Sequence, residues 1–306
     1  MIEILKNTKI DFMSMRKYTF VISALLVILG LFAVVQIFFG KANMGVDFAG
    51  GTAIQVKFSG HIPLQDIRKA LDDGQIKDFD LQDLPTENKV LIRIKKQEEI
   101  LGGFSERIIQ VISLKFADKT PVIDSVTEIG PKVGEKLKKD ALFAIAMSIV
   151  GLLIYVGWRF HFKFGVGATL ATFHDVMAVL GIFYLLNKEI NLIFISALLT
   201  IAGYSLTDTV VVFDRIRENI KKSLKEAVDS IINKSINEVL SRTVVVSFTT
   251  FLAGLALFIF GGEVIHDFAL AIIIGVTVGT YSSIFIASPI VMLLSKKKQT
   301  IIRKKK

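Results

Sequence analysis

Cysteine is absent from the 306 residues, which rules out disulfide staples, thiolate metal sites and a cysteine nucleophile. Charge is scarce as well: 21% of residues are charged and 52% hydrophobic, with a mean hydropathy of +0.57. That is too apolar for an ordinary soluble domain, so the chain reads as a membrane protein. The net charge of +9 would mark a nucleic-acid binder only if it were gathered on one folded, groove-sized face. Its placement along the chain decides otherwise.

What the chain has in abundance is long apolar runs. A hydrocarbon core of roughly 30 Å takes about 20 apolar residues per helix, and six runs qualify, at 18–40, 141–157, 164–186, 190–213, 243–260 and 268–294. The first follows Arg16 and Lys17 as a signal peptide would, but its apolar core is too long and the stretch Gly40 to Asn43 lacks a small-x-small cleavage site. It is expected to remain as an uncleaved anchor. The short segments on one side of the membrane (1–17, the turn after the second span, 214–242 and the tail 295–306) hold 20 Lys and Arg, and the two short loops opposite hold 1. The positive-inside rule then puts both termini in the cytoplasm. Segment 41–140 lies outside, its 16 basic residues balanced by 16 acidic ones. The tail, with Lys296 to Lys298 and Arg303 to Lys306, suits a stop-transfer signal in contact with anionic membrane lipids, and no nucleic acid is expected as a partner.

Within 41–140 the pattern changes from continuous apolar to alternating and amphipathic. Strands are expected at 52–58, 89–94 and 121–127, with a weaker one at 76–84. Helices are expected at 63–73, where Leu64, Ile67 and Leu71 recur at helical spacing before Gly74, and at 104–116, with Ile108, Val111 and Ile112. The order β-α-β-β-α-β is ferredoxin-like, an α+β domain between the first two spans. Its one histidine, His61, stands alone in a turn. A domain of this kind without chemistry suits contact with a partner or a passing substrate.

Ionisable residues inside spans carry the most information, because each costs about 3 kcal/mol at mid-bilayer even on the permissive scale. Asp208 lies six residues before Asp214, about 9 Å inside the cytoplasmic end of the fourth span at ~1.5 Å per residue. There it could exchange a proton near physiological pH. Arg242, at the start of the fifth span, has a similar depth once the antiparallel direction is considered. Two readings stand side by side: an ion carrier whose affinity Arg242 switches by approaching or receding, or a structural ion pair between helices. His174 and Asp175 sit mid-way along the third span. Being adjacent, they project about 100° apart on a helix and lack an i, i+4 partner set, so no metal site is expected. Hydrogen bonding to a neighbouring helix, or a part in proton movement, remain. Asp214, Arg215, Arg217 and Glu218 suit a solvated helix end or docking edge with i, i+3 and i, i+4 pairs. Gly275 and Gly279 give the sixth span a small-residue face for close packing.

The stretch Gly203 to Glu218, including Asp214 and Arg215, resembles the signature of the SecF members of the SecD/SecF protein-export family. The resemblance runs through nearly the whole chain. Gly45, Asp47, Gly50, Gly51 and Thr52 resemble the family segment just outside the first span, and Gly130, Pro131 and Gly134 the one before the second. His174 with Asp175, Leu240 to Thr243 with Thr249 and Thr250, and Gly275 through Ala287 fall in the expected spans. The resemblance implies an α-helical polytopic membrane protein, half of a bundle of the proton-driven exporter (RND) superfamily, with a SecD chain supplying the other half. It implies a proton path through Asp208 and Arg242 and no cofactor; the placement of His174, Asp175, Ser205 and Thr209 within the spans makes them the expected accessory polar residues. The coupling ion it implies is H⁺; an Asp with hydroxyl neighbours such as Ser205 and Thr209 would also suit Na⁺. Thr207 stands where the family usually has Asn, and Val246 where Thr is common, which thins the polar lining beside Asp208.

The expected function is therefore an auxiliary subunit in the bacterial inner membrane. It would pair with SecD and use the proton-motive force to pull or release unfolded polypeptides after the SecYEG channel has passed them. A proton-coupled exporter of a lipid or small molecule is the alternative. An intramembrane hydrolase using Asp208 with Asp175 would need both carboxylates within reach of one water, and these lie on different helices.

Overall fold

The computed structural model describes residues 8–76, 79–84, 88–95, 104–223 and 226–303. Residues 1–7 of the expected N-terminal segment and the side chains of the basic tail from 296 onward lie outside this description. In chain order the elements begin with α1 (Arg16–Phe38), α2 (Val46–Ala49), β1 (Gly51–Lys57), α3 (Leu64–Asp73), β2 (Phe79–Leu84), β3 (Lys89–Lys95), α4 (Phe104–Lys115) and β4 (Val122–Ile129). They continue with α5 (Pro131–Arg159), α6 (Phe162–Leu185), α7 (Leu192–Lys222), α8 (Val228–Phe260), α9 (Gly262–Ser282), a π turn (Ser283–Ala287) and α10 (Ser288–Arg303). The chain forms two compact units, Met44–Phe143 and the remainder.

In the smaller unit the strand order is β2-β3-β1-β4, every neighbouring pair antiparallel. This is the ferredoxin-like arrangement. Alternation along β1 sends Ile54 and Val56 inward, where they meet Ile92 and Ile94 of β3, Ile67 and Leu71 of α3, and Ile108 and Ile112 of α4, all buried. Gly74 does close α3, but the left-handed residue is Gln75, at φ 57°. Gly74 serves packing instead, since a Cβ there would come within 2.9 Å of the Val111 side chain.

The larger unit is helical. Six helices among the described residues are long and apolar enough to span a membrane. In α6, α7 and the sixth span, 56%, 44% and 50% of the apolar window is buried, against 11–17% in α1, α5 and α8. The first three thus form the centre of the bundle, and the others present apolar side chains outward, as lipid contact requires. Close approach depends on glycine. A Cβ on Gly30 of α1 would stand 2.2 Å from the Met177 carbonyl oxygen of α6, and one on Gly181 would stand 2.8 Å from the Gly30 nitrogen. Gly275 and Gly279 likewise seat α9 on Ile201 and Ser205 of α7.

Helices α7 and α8, at 31 and 33 residues, extend beyond a hydrocarbon core at ~1.5 Å per residue. The described residues of segment 214–242 are consequently helical up to Lys222 and again from Val228. Against this extension of α8 lies the chain preceding α1. Met13 is 1% exposed. Asn237 accepts from the Ile10 backbone N–H at 3.0 Å and donates to the Ile10 carbonyl at 2.9 Å, while Asn233 accepts from the Met13 N–H and donates to Asp11 at 2.6 Å.

The sixth span is not a continuous α-helix. Pro289 has no N–H to give the carbonyl four residues back, and its ring crowds that carbonyl. The wider π turn just before it, with Ser288 Oγ donating to the Ser283 carbonyl at 2.9 Å, absorbs the misfit.

Candidate functional site

Two carboxylates are held inside the helical unit on adjacent helices, α6 and α7. Asp175 is completely buried and His174 2% exposed. His174 Nδ1 and Asp175 Oδ1 lie 2.9 Å apart, and Oδ2 accepts from Ser205 of α7 and, at 2.7 Å, from Ser282 of α9. His174 Nε2, also buried, has no hydrogen-bond partner among the described residues. The imidazole ring lies 6.2 Å from that of Tyr281, whose hydroxyl donates to the Thr19 carbonyl of α1 at 2.8 Å and lies 3.0 Å from Ser23 Oγ.

One turn further along α7, Asp208 Oδ1 accepts from Thr243 of α8 at 3.0 Å and Oδ2 from Ser283 at 2.6 Å. The carboxylate therefore joins α7 to α8 and to the π turn of the sixth span. Arg242, exposed in this structure, acts on Asp208 electrostatically. Among the described residues, no ion pair within 4.0 Å joins the two.

Beyond Arg242 a cleft of about 460 Å³ is lined by Val211, Asp214, Arg215, Glu218, Glu238, Val239 and Arg242. Arg215 donates to Glu238 at 2.6 Å and to Glu218 at 2.7 Å, and Asn219 donates to Glu238 at 2.6 Å and to Ser235 at 3.0 Å. Asp214 accepts from Arg159 of α5 at 2.7 Å. The charges expected at a solvated helix end or docking edge do form i, i+3 and i, i+4 pairs, Arg215 with Glu218 and Lys222 with Glu218, and they also fasten α7 to α5 and α8.

Residues 110–297 match the model of the family described as "Protein export membrane protein SecD/SecF, C-terminal". A protein translocase subunit SecF from Thermodesulfovibrio yellowstonii is 60% identical, over 97% of this chain and 98% of that one. The chain belongs to the SecD/SecF protein-export family. A SecF from Calditerrivibrio nitroreducens is 43% identical over 96% of this chain and 97% of that one. The crystal structure of SecDF from Thermus thermophilus, a translocon-associated membrane protein, superposes with a TM-score of 0.83 at 34% identity. The match covers 95% of this chain but 39% of the SecDF chain.

Several sequence-derived residues change company once the SecD/SecF fold is in place. Ser205, expected beside Asp208, donates to Asp175, and Thr209 Oγ1 is buried with no partner among the described residues. Thr207 turns its hydroxyl to the Gly203 carbonyl at 3.0 Å, and Thr249 and Thr250 turn theirs to that of Val246, at 2.8 and 3.0 Å. None of these five donates to Asp208. Ser282 and Ser283, inside the stretch from Gly275 to Ala287, and Thr243 are the site residues sequence reasoning missed; for the two serines, Pro289 six residues after Ser283 and the helix distortion it imposes were the available signal.

In the smaller unit the two glycine-containing motifs of the SecD/SecF pattern meet. A Cβ on Gly134 would lie 3.1 Å from the Gly50 nitrogen and 3.4 Å from the carbonyl oxygens of Asp47 and Phe48; one on Gly50 would lie 3.1 Å from Pro131 Cα. Gly50 and Gly51 have φ of 69° and 128°, open to glycine and strained for other residues. Gly51 pairs with Ile129, just before Gly130 and Pro131. Gly45 caps α2 from an extended conformation, and Thr52 pairs with Ile94 and Glu128.

Proposed function

We propose that this SecD/SecF family member couples proton movement to a late step of polypeptide export, with Asp208 as the proton-exchanging group and Arg242 as the mobile cation that sets its affinity. One observation carries the reading. Asp208 is bonded to two other helical segments inside an apolar bundle, with a cation beside it that is not paired to it. Ionised, the carboxylate accepts from Thr243 and Ser283; protonated, it becomes a donor and one of those bonds must reorganise. The packing of α7 against α8 and the sixth span thus depends on its protonation state, which is the bistable element that coupling requires.

The geometry supports H⁺ over Na⁺. Both carboxylate oxygens of Asp208 accept from hydroxyls, and Ser205 and Thr209, the hydroxyls that could complete a sodium shell, do not turn to it. A charge crossing the membrane field supplies about 2.3 kcal/mol per 100 mV, enough to shift such an equilibrium.

In this reading the chain pairs with SecD and sits beside SecYEG in the bacterial inner membrane, both termini cytoplasmic. The ferredoxin-like unit outside contacts the emerging unfolded polypeptide. The test is Asp208→Asn in cells depleted of the native copy. Secretion should fall to the depleted level; wild-type secretion kinetics with unaltered dependence on the proton-motive force would sink the reading.

A further inference from the structure

Ser282 and Ser283, neighbours in the chain, serve different acids: the first donates to Asp175 at 2.7 Å, the second to Asp208 at 2.6 Å. Each hydroxyl also has a second acceptor within reach in the preceding turn. Ser282 Oγ lies 3.1 Å from the Gly279 carbonyl oxygen, and Ser283 Oγ lies 3.0 Å from that of Thr280. A serine hydroxyl carries one hydrogen and so satisfies one acceptor fully at a time. When the carboxylate is ionised, the hydrogen points to it. When the carboxylate is protonated, its own O–H can donate to the serine oxygen while the serine hydrogen swings to the backbone carbonyl. Both states leave the serine and the carboxylate oxygen it faces bonded. Ser282 at Asp175 thus has the same two acceptors to choose between as Ser283 at Asp208.

We infer that Asp175 is a second proton-exchanging carboxylate, coupled to Asp208 through the Ser282–Ser283 pair at the head of the π turn. The inference rests on the reading of Asp208 as a proton carrier and adds a second site to it. A proton taken up at Asp175 forms an O–H on Oδ2 that donates to Ser282, while Ser205 goes on donating to that oxygen. The Ser282 hydrogen then turns to the Gly279 carbonyl. Because the serines share one peptide unit, a displacement of one moves the other. The π turn beside them, held by Ser288, supplies the local slack that a regular helix lacks. The titratable and charged groups facing the pair are His174 on the other oxygen of Asp175, Tyr281 against the imidazole, and Arg242 acting on Asp208.

The test is infrared difference spectroscopy of the full chain with its partner subunit in proteoliposomes, stepping pH and reading the carboxylic C=O bands. Asp175→Asn and Asp208→Asn should each remove one titrating band. Ser282→Ala, which of the two acids touches only Asp175, should shift the proton affinity of the Asp208 band about threefold, roughly half a pH unit in midpoint. Ser283→Ala should do the same to the Asp175 band. A purely structural Asp175 would contribute no titrating band, and that result overturns the inference, as does an Asp208 band unmoved by Ser282→Ala. Loss of no band in Asp208→Asn would instead overturn the underlying proton reading.

Discussion

Arg242 stands next to Thr243 in the chain, yet it is Thr243, not Arg242, that bonds the Asp208 carboxylate. The arginine influences the acid across space and leaves its oxygens to the two hydroxyls. On the proposed reading, an ion pair closed at this position would hold the acid in its charged form, and an open one leaves it able to exchange a proton.

If Arg242 acts by charge and not by a fixed fork of hydrogen bonds, lysine should substitute for it in part. Arg242→Lys is expected to keep export within a few-fold of wild type. Arg242→Gln should lower it about tenfold, the equivalent of 1.4 kcal/mol. Secretion pulse-chase in a depletion strain measures both. Equal loss in the two variants would show that guanidinium geometry is what matters.

The hydroxyls near Asp208 divide into those that bond it and those that do not. Thr243→Val deletes a direct bond of about 1 kcal/mol net and should slow proton-dependent release about fivefold. Thr207→Val should leave it unchanged, because the Thr207 hydroxyl is already committed to the Gly203 carbonyl. A matched pair of release assays in vesicles decides between this pattern and one in which Thr207 lines the path.

Packing of the first span depends on one missing Cβ. Gly30→Ala places a methyl 2.2 Å from a backbone oxygen of α6, a clash no side-chain rotation relieves, at a cost of about 1–3 kcal/mol. Gly151→Ala, with nothing within 4 Å of the added carbon, is the control. Thermal denaturation in detergent should show a loss of several degrees for the first and none for the second.

Asn233 and Asn237 tie the chain before α1 to the extension of α8 through four hydrogen bonds. Replacing both with Ala should release residues 10–13, increasing their hydrogen exchange more than tenfold while exchange within the spans stays as it was. Unchanged protection at Met13 would mean that apolar burial alone holds the strap.

Much of this was legible in the sequence because it depends on periodicity. The six apolar runs and the alternation around Ile54 and Val56 specify the helices and the sheet without reference to distant residues. Asp208 was legible for a related reason: an acid in an apolar run is costly wherever it points. What the sequence left open are choices made by long-range geometry. Ser205 and Asp208 lie three residues apart on α7, yet they face different partners, and only the approach of α9, permitted by Gly275 and Gly279, fixes which. Gly30 and Gly181 are single glycines 151 positions apart, and nothing local marks them as one contact. The π turn follows from Pro289, but that a turn there presents Ser282 and Ser283 to two acids depends on α6 and α7 both being in place.

On the proposed reading, proton exchange at Asp208 couples the membrane field to polypeptide release. The most direct measurement is the rate of release of a stalled preprotein from proteoliposomes containing the complete translocase, with and without an imposed proton gradient, for wild type and Asp208→Asn. The account predicts that the gradient accelerates release in wild type and has no effect in Asp208→Asn. Equal acceleration in both would contradict it.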